Sequence, residues 1–134
     1  MIIDSSALVA ITFEEPGAAE IQDRLFSGGP LGIGAPTLTE TAIVLSGRLR
    51  RDARGMVDRM LKAAGIVVIP FEAIHYDVAI SAWMRFGKGR HPASLNLGDC
   101  FSYAVAHLAR RPLLCVGDDF RKTDLPLVPL PPHA

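Results

Sequence analysis

The chain has 134 residues, enough for one domain with a proper hydrophobic core. Hydrophobic residues make up 49% and charged residues 21%, the balance of a globular protein and not of a disordered one. The 14 basic residues are matched by 14 acidic ones, which excludes bulk electrostatic attraction to nucleic acid; any such contact must come from a local basic patch. The N-terminus lacks a basic leader region, and no apolar stretch approaches the roughly 18 residues of a membrane span, so a cytoplasmic chain without membrane contact is expected. The two cysteines, Cys100 and Cys115, sit in apolar contexts without metal-type spacing and read as buried free thiols.

The chain opens on Met1-Ile2-Ile3-Asp4-Ser5-Ser6-Ala7-Leu8. An unalternated apolar run that stops at once on a turn residue suits a strand covered on both faces, as in a parallel α/β sheet. Ser5 or Ser6 can cap the helix that follows to about Ile11. Pro16 opens a second helix with Ala18, Ile21, Gln22 and Leu25 on one stripe, ended by Gly28, Gly29 and Pro30. Leu31 to Ala35 is a second strand, weakened by Gly32 and Gly34. The next helix opens at Pro36, where Thr37 and Glu40 have capping-box spacing, and carries Leu38, Ala42, Leu45 and Leu49. Arg48, Arg50, Arg51 and Arg54 lead into a further helix with Met56, Val57, Met60, Leu61 and Ala64, stopped by Gly65. Ile66 to Ile69 reads as the clearest buried strand, ended by Pro70. Glu72 to Phe86 is a helix with Ile74, Val78, Ala82 and Phe86 inward and Gly87 as terminator. A polar loop, Lys88 to Asn96, precedes a helix from about Gly98 to Arg110 so apolar that it must be largely buried. Leu113 to Val116 is a fourth strand, and Leu127 to Val128 a short fifth; residues 129–134 read as a frayed Pro-rich tail of this single domain, 1–134. Strands alternating with helices predict a parallel sheet with helices on both faces.

Several carboxylates now share one address. Asp4 follows the first strand, Glu40 opens the helix after the second, Asp99 opens the buried helix, and Asp118 and Asp119 follow the fourth strand. In a parallel sheet these points lie at the carboxyl edge, where open α/β folds bind ligands. Taken singly, each also suits a cap or a turn. Together they repel one another unless a counter-charge is present. A hard divalent cation such as Mg²⁺ supplies it and can activate water for phosphoryl displacement. Asp23, Asp52, Asp58 and Asp77 read as solvated, and Asp124 as a turn residue.

The opening Met1-Ile2-Ile3-Asp4-Ser5-Ser6, the Glu40 of Thr37-Leu38-Thr39-Glu40, the run Leu95-Asn96-Leu97-Gly98-Asp99-Cys100-Phe101-Ser102-Tyr103-Ala104 and the run Leu113-Leu114-Cys115-Val116-Gly117-Asp118-Asp119-Phe120 resemble a PIN-domain ribonuclease, more narrowly the VapC toxins of toxin–antitoxin pairs. The resemblance covers Met1 to about Val128. It implies a three-layer α/β/α fold around a five-stranded, mainly parallel sheet, and an endoribonuclease dependent on Mg²⁺ or Mn²⁺. Asp4, Glu40 and Asp99 match three of the family's acidic residues. The fourth is contested: many members have Thr-x-Asp before an Asp-Phe pair, and here Asp118 and Asp119 compete, with Asp118, nearer the strand end, favoured and Phe120 as a core anchor. Ser6 matches a supporting hydroxyl. The resemblance also implies a VapB antitoxin partner, a homodimer and a toxin–antitoxin hetero-oligomer. Leu45, Leu49 and Met56 are candidates for the dimer interface as well as for plain core.

The mechanism expected is metal-assisted hydrolysis of an RNA phosphodiester. Asp4 and Asp99 bind the metal directly, while Glu40 and Asp118 or Asp119 act through water or a second ion. Lys88, Arg90 and His91 are candidates for gripping the RNA backbone, and each equally suits a solvated loop. Trp83, Phe86 and Tyr103 could stack on bases but have the spacing of core. Two rivals remain: a Mg²⁺-dependent phosphatase, for which Ser6 stands where a second Asp is usual, and a non-catalytic metal-binding partner of an antitoxin.

Overall fold

A computed structural model describes residues 1–131. The elements are β1 (Ile2–Ile3), α1 (Ser5–Thr12), α2 (Ala18–Leu25), β2 (Leu31–Gly34), α3 (Ala35–Leu49), α4 (Arg54–Ala64), β3 (Ile66–Ile69), α5 (Ala73–Phe86), α6 (Leu97–Ala109), β4 (Leu113–Leu114) and a 3₁₀ turn, Phe120–Lys122. The sheet is parallel throughout, in the order β3-β2-β1-β4. Ile2 pairs with both Gly32 and Leu113, so β1 is central.

The unalternated run at the N-terminus has a simple cause. Ile2 joins the core cluster built on α5 and α6, while its neighbour Ile3 joins the cluster built on α1 and α2. Leu113 and Leu114 divide in the same way. Both faces of the sheet are therefore covered, which is the expected three-layer α/β/α arrangement. Gly34 has a packing reason: a Cβ there would stand 2.8 Å from Val105 Cγ2, so the glycine lets α6 lie close on β2. No helix among the described residues is long and apolar enough to cross a membrane.

Four expectations need correction. The sheet has four strands among the described residues; the expected fifth shrinks to one parallel bridge, Leu113 with Leu127. Pro126 and Pro129 flank that bridge and have no N–H to extend a ladder. Ile66–Ile69 is an edge strand, not a buried one, with Val67 65% and Val68 41% exposed. The inward face of α5 is His75, Ala79, Ala82 and Phe86; Ala82 and Phe86 lie inward as expected and Val78 packs partly buried beside them, but His75 takes the place of Ile74, which is exposed. Finally, α3 starts at Ala35 with Gly34 as its cap residue, and Thr37 does not cap it. Pro36 fits the first turn because its missing N–H is not needed there.

Leu45 is wholly buried between α3 and α4 with Val57, so in this chain it is core; Leu49 and Met56 pack partly buried on the same cluster. Of the expected tail, Leu130 packs against the cluster of Ile3 and Leu114, and residues 132–134 lie outside the described residues.

Candidate functional site

The chain runs from β1 to β2 to β3 on one side and returns to place β4 on the other side of β1. The switch in direction falls between β1 and β4, and the carboxyl ends of these two strands open the crevice where such sheets bind ligands.

Asp4 stands at that point. It caps α1 and is only 4% exposed. Its Oδ2 accepts from the Ser6 backbone N–H at 3.1 Å and from Ser6 Oγ at 2.6 Å. Its Oδ1 accepts from Ser102 Oγ at 2.5 Å. Ser6 Oγ also accepts from the Val116 N–H at 3.0 Å, which ties the end of β4 to Asp4. The supporting role expected of Ser6 thus has a geometric basis.

Glu40 lies one turn into α3 and is half-buried. Freed from any cap, its carboxylate accepts from Ser5 Oγ at 2.9 Å and rests against Gly98. A Cβ on Gly98 would collide with Glu40 Oε2. Gly98 is therefore the notch that admits Glu40 beside the first turn of α6.

Asp99 forms the capping box that the sequence had suggested for Glu40. The Asn96 N–H donates to Asp99 Oδ2 at 3.1 Å, and the Asp99 N–H to Asn96 Oδ1 at 2.9 Å. Only one carboxylate oxygen is used. Burial pushes the Asp99 carboxyl up to about 6; the Asn96 N–H opposes this, and the negative charges of Asp4, Asp119 and Glu40 add to it. Those charges act on Asp99 only because they converge around it.

The contested pair divides. Asp118 is 72% exposed and pairs with Arg121 at 3.5 Å, while Asp119 is the one whose charge bears on Asp99. Phe120 is buried in the α5–α6 cluster and anchors this turn.

Among the described residues no three acidic, histidine or cysteine side chains already form a metal-binding cage. Hydroxyls and backbone N–H groups instead hold the carboxylates of Asp4, Glu40 and Asp99 in place. The donor set still fits a hard divalent cation. It consists of carboxylates at one edge of the sheet, where the charges of Asp4, Asp119 and Glu40 add to the effect of burial in raising the Asp99 pKa. Soft ligands are withheld: burial pushes the Cys100 thiol up to about 11 and the Cys115 thiol up to about 12, so both stay protonated.

The loop candidates lie elsewhere on the edge of α5. Arg90 stacks its guanidinium 4.5 Å over the exposed Trp83 ring. His91 packs edge-on to Phe86 and accepts the Ala93 N–H on Nδ1. The Lys88 side chain is exposed. Phe86 and Tyr103 are core, as their spacing implied. Sequence reasoning missed Ser102, Ser5 and Gly98. The available signal for Ser102 was a small hydroxyl residue one turn beyond Asp99 in a largely apolar helix.

The class of protein that the fold and site define is a three-layer parallel α/β domain with acidic side chains at its switch point. The sequence profile described as "PIN domain" matches residues 1–125. The chain is 43% identical over 126 residues to Ribonuclease VapC36 of Mycobacterium tuberculosis, covering 93% of this chain and 91% of that protein. It is 40% identical over 128 residues to Ribonuclease VapC of Mycolicibacterium smegmatis, covering 96% and 99%. Among solved structures, VapC20 of M. tuberculosis, described as a sarcin-ricin loop cleaving toxin, superposes with a TM-score of 0.70 at 19% identity, covering 95% of this chain and 97% of that one. A toxin–antitoxin complex from Klebsiella pneumoniae superposes with a TM-score of 0.67 at 19% identity, covering 92% of each chain. The chain belongs to the PIN-domain family and, within it, to the VapC group.

Proposed function

We propose that this protein is the toxin of a toxin–antitoxin pair, a divalent-metal-dependent endoribonuclease acting in the cytoplasm. The observation that carries the reading is the geometry at the switch point of the sheet, where Ser102, on the helix of Asp99, donates to Asp4, and Glu40 rests against Gly98 beside Asp99. Relatives at about 40% identity named as ribonucleases support the reaction type.

Asp4 and Asp99 would hold Mg²⁺ or Mn²⁺. Asp4 Oδ2 already accepts two hydrogen bonds, but Oδ1 accepts one and keeps a lone pair, and Asp99 has a free Oδ1. Once bound, such an ion offsets the repulsion within the cluster and lowers the pKa of a coordinated water. Glu40 and Asp119 accept hydrogen bonds from the attacking water and orient it toward the phosphorus. Asp118, committed to Arg121, is the weaker claimant for this role. Lys88 and Arg90 contact backbone phosphates, which positions RNA without reading its sequence; His91 has only Nε2 left to offer.

The toxin forms a homodimer and joins a VapB-type antitoxin in a hetero-oligomer. A toxin–antitoxin complex among the structures sharing the fold supports this part. The test is cleavage of total cellular RNA by antitoxin-free protein. Discrete products that require Mg²⁺ or Mn²⁺, vanish with chelator and are absent with Asp99→Asn are expected. Metal-independent cleavage, or full activity of Asp99→Asn, refutes the reading. Hydrolysis of phosphomonoesters with RNA left intact would establish the phosphatase instead.

A further inference from the structure

The acidic residues stand on three separate elements: Asp4 after β1, Glu40 on α3 and Asp99 on α6. Something must fix these elements relative to one another at the level of the carboxylates. Thr37 precedes Glu40 by three residues and Ser102 follows Asp99 by three, so each lies on its acid's helical face, one turn away. Both are buried, at 1% exposure. Their hydroxyl oxygens are 3.2 Å apart.

The direction of this chain follows from counting protons. A serine hydroxyl has one to donate, and Ser102 gives it to Asp4 Oδ1 at 2.5 Å. Thr37 must then be the donor to Ser102. The result is a one-way relay, Thr37 to Ser102 to Asp4, joining α3, α6 and β1. No buried side-chain nitrogen or oxygen among the described residues lacks a partner, so the relay is closed. A buried, fully satisfied polar chain in an otherwise apolar layer rigidifies what it joins.

We propose that Thr37 and Ser102 are positioning residues, a hydroxyl relay that holds the Asp4 carboxylate in register with Glu40 and Asp99 for binding a divalent cation. The inference rests on the metal reading of the acidic edge. Thr37 and Ser102 touch neither the ion nor the substrate; they act through Asp4. Groups of this kind behind a metal ligand typically change affinity about 10- to 100-fold when removed.

The experiment is calorimetric titration of Mn²⁺ into folded wild-type protein, Thr37→Val, Thr37→Ser and Ser102→Ala, with thermal unfolding in chelator measured alongside. Thr37→Val keeps shape and removes the donor; Thr37→Ser keeps the donor. The relay predicts Mn²⁺ affinity at least about tenfold weaker in Thr37→Val and Ser102→Ala, and within about twofold of wild type in Thr37→Ser. A role in packing alone would give the opposite pattern, weakening Thr37→Ser, which loses the methyl group, and sparing Thr37→Val, which keeps the shape. If Ser102→Ala does not fold, the two Thr37 variants decide the matter between them. Wild-type binding with unchanged affinity in Thr37→Val overturns the relay and leaves the metal reading intact. No Mn²⁺ binding by wild-type protein overturns both.

Discussion

Asp99→Asn should make the metal-free protein more stable while abolishing its chemistry. The folded chain raises the Asp99 carboxyl from an ordinary 3.8 to about 6, chiefly by burial and further by the charges of Asp4, Asp119 and Glu40. At 1.36 kcal/mol per pH unit the displacement corresponds to about 3 kcal/mol. Asp99 is only part-buried, so solvent screening reduces this to about 1–2 kcal/mol. The sign follows from linkage. The folded state holds this proton more tightly than the unfolded state, so ionisation destabilises the fold. The contribution is favourable below about pH 4 and lost as pH rises to about 6. Asparagine stays neutral throughout and can keep the capping box, because its Oδ1 can still accept the Asn96 N–H. Urea unfolding followed by circular dichroism, with chelator present, should show Asp99→Asn more stable than wild type by about 1–2 kcal/mol at pH 8, and equal to it near pH 4. Saturating Mg²⁺ should reverse the order at pH 8 by stabilising wild type alone. Equal stability at pH 8, or a difference independent of pH, would refute the account of Asp99.

Three further outcomes are expected. Gly98→Ala should gain up to about 1 kcal/mol of helix propensity in α6 yet lose RNA cleavage, because its Cβ displaces Glu40; retained cleavage with a raised Tm would show that Glu40 is not needed where it stands. Asp119→Asn should abolish cleavage and Asp118→Asn should preserve most of it, measured side by side on the same RNA; the reverse pattern would return the role to Asp118. With both thiols buried and their pKa values pushed up to about 11 and about 12, neither Cys100 nor Cys115 should react with a thiol reagent at pH 8 in the native protein, and both should react after unfolding.

Much of this architecture was legible because it is written in local pattern. An apolar run ending in Asp-Ser-Ser suits a covered strand followed by a capped helix, and Asp4 was singled out by its place at a strand end, Glu40 and Asp99 by theirs in the first turns of helices. What stayed hidden depends on tertiary context. The run Ile66 to Ile69 has no alternation to distinguish an edge from a centre, and the place of β3 in the sheet left Val67 and Val68 open. The same three-residue spacing occurs at Thr37/Glu40 and at Asn96/Asp99, and only the second forms a capping box. Thr37 was drawn away by Ser102, 65 residues further along the chain. Asp118 and Asp119 are adjacent and chemically identical, and only the Arg121 partner separates them.

The central claim is that the switch point between β1 and β4 binds the ion that RNA cleavage requires. Anomalous diffraction from crystals grown with Mn²⁺ tests it most directly. The account predicts one strong peak within coordination distance, about 2.0–2.3 Å, of oxygens of Asp4 and Asp99, and its loss in Asp99→Asn. A peak held by other residues, or none in protein that cleaves RNA when Mn²⁺ is added, would contradict it.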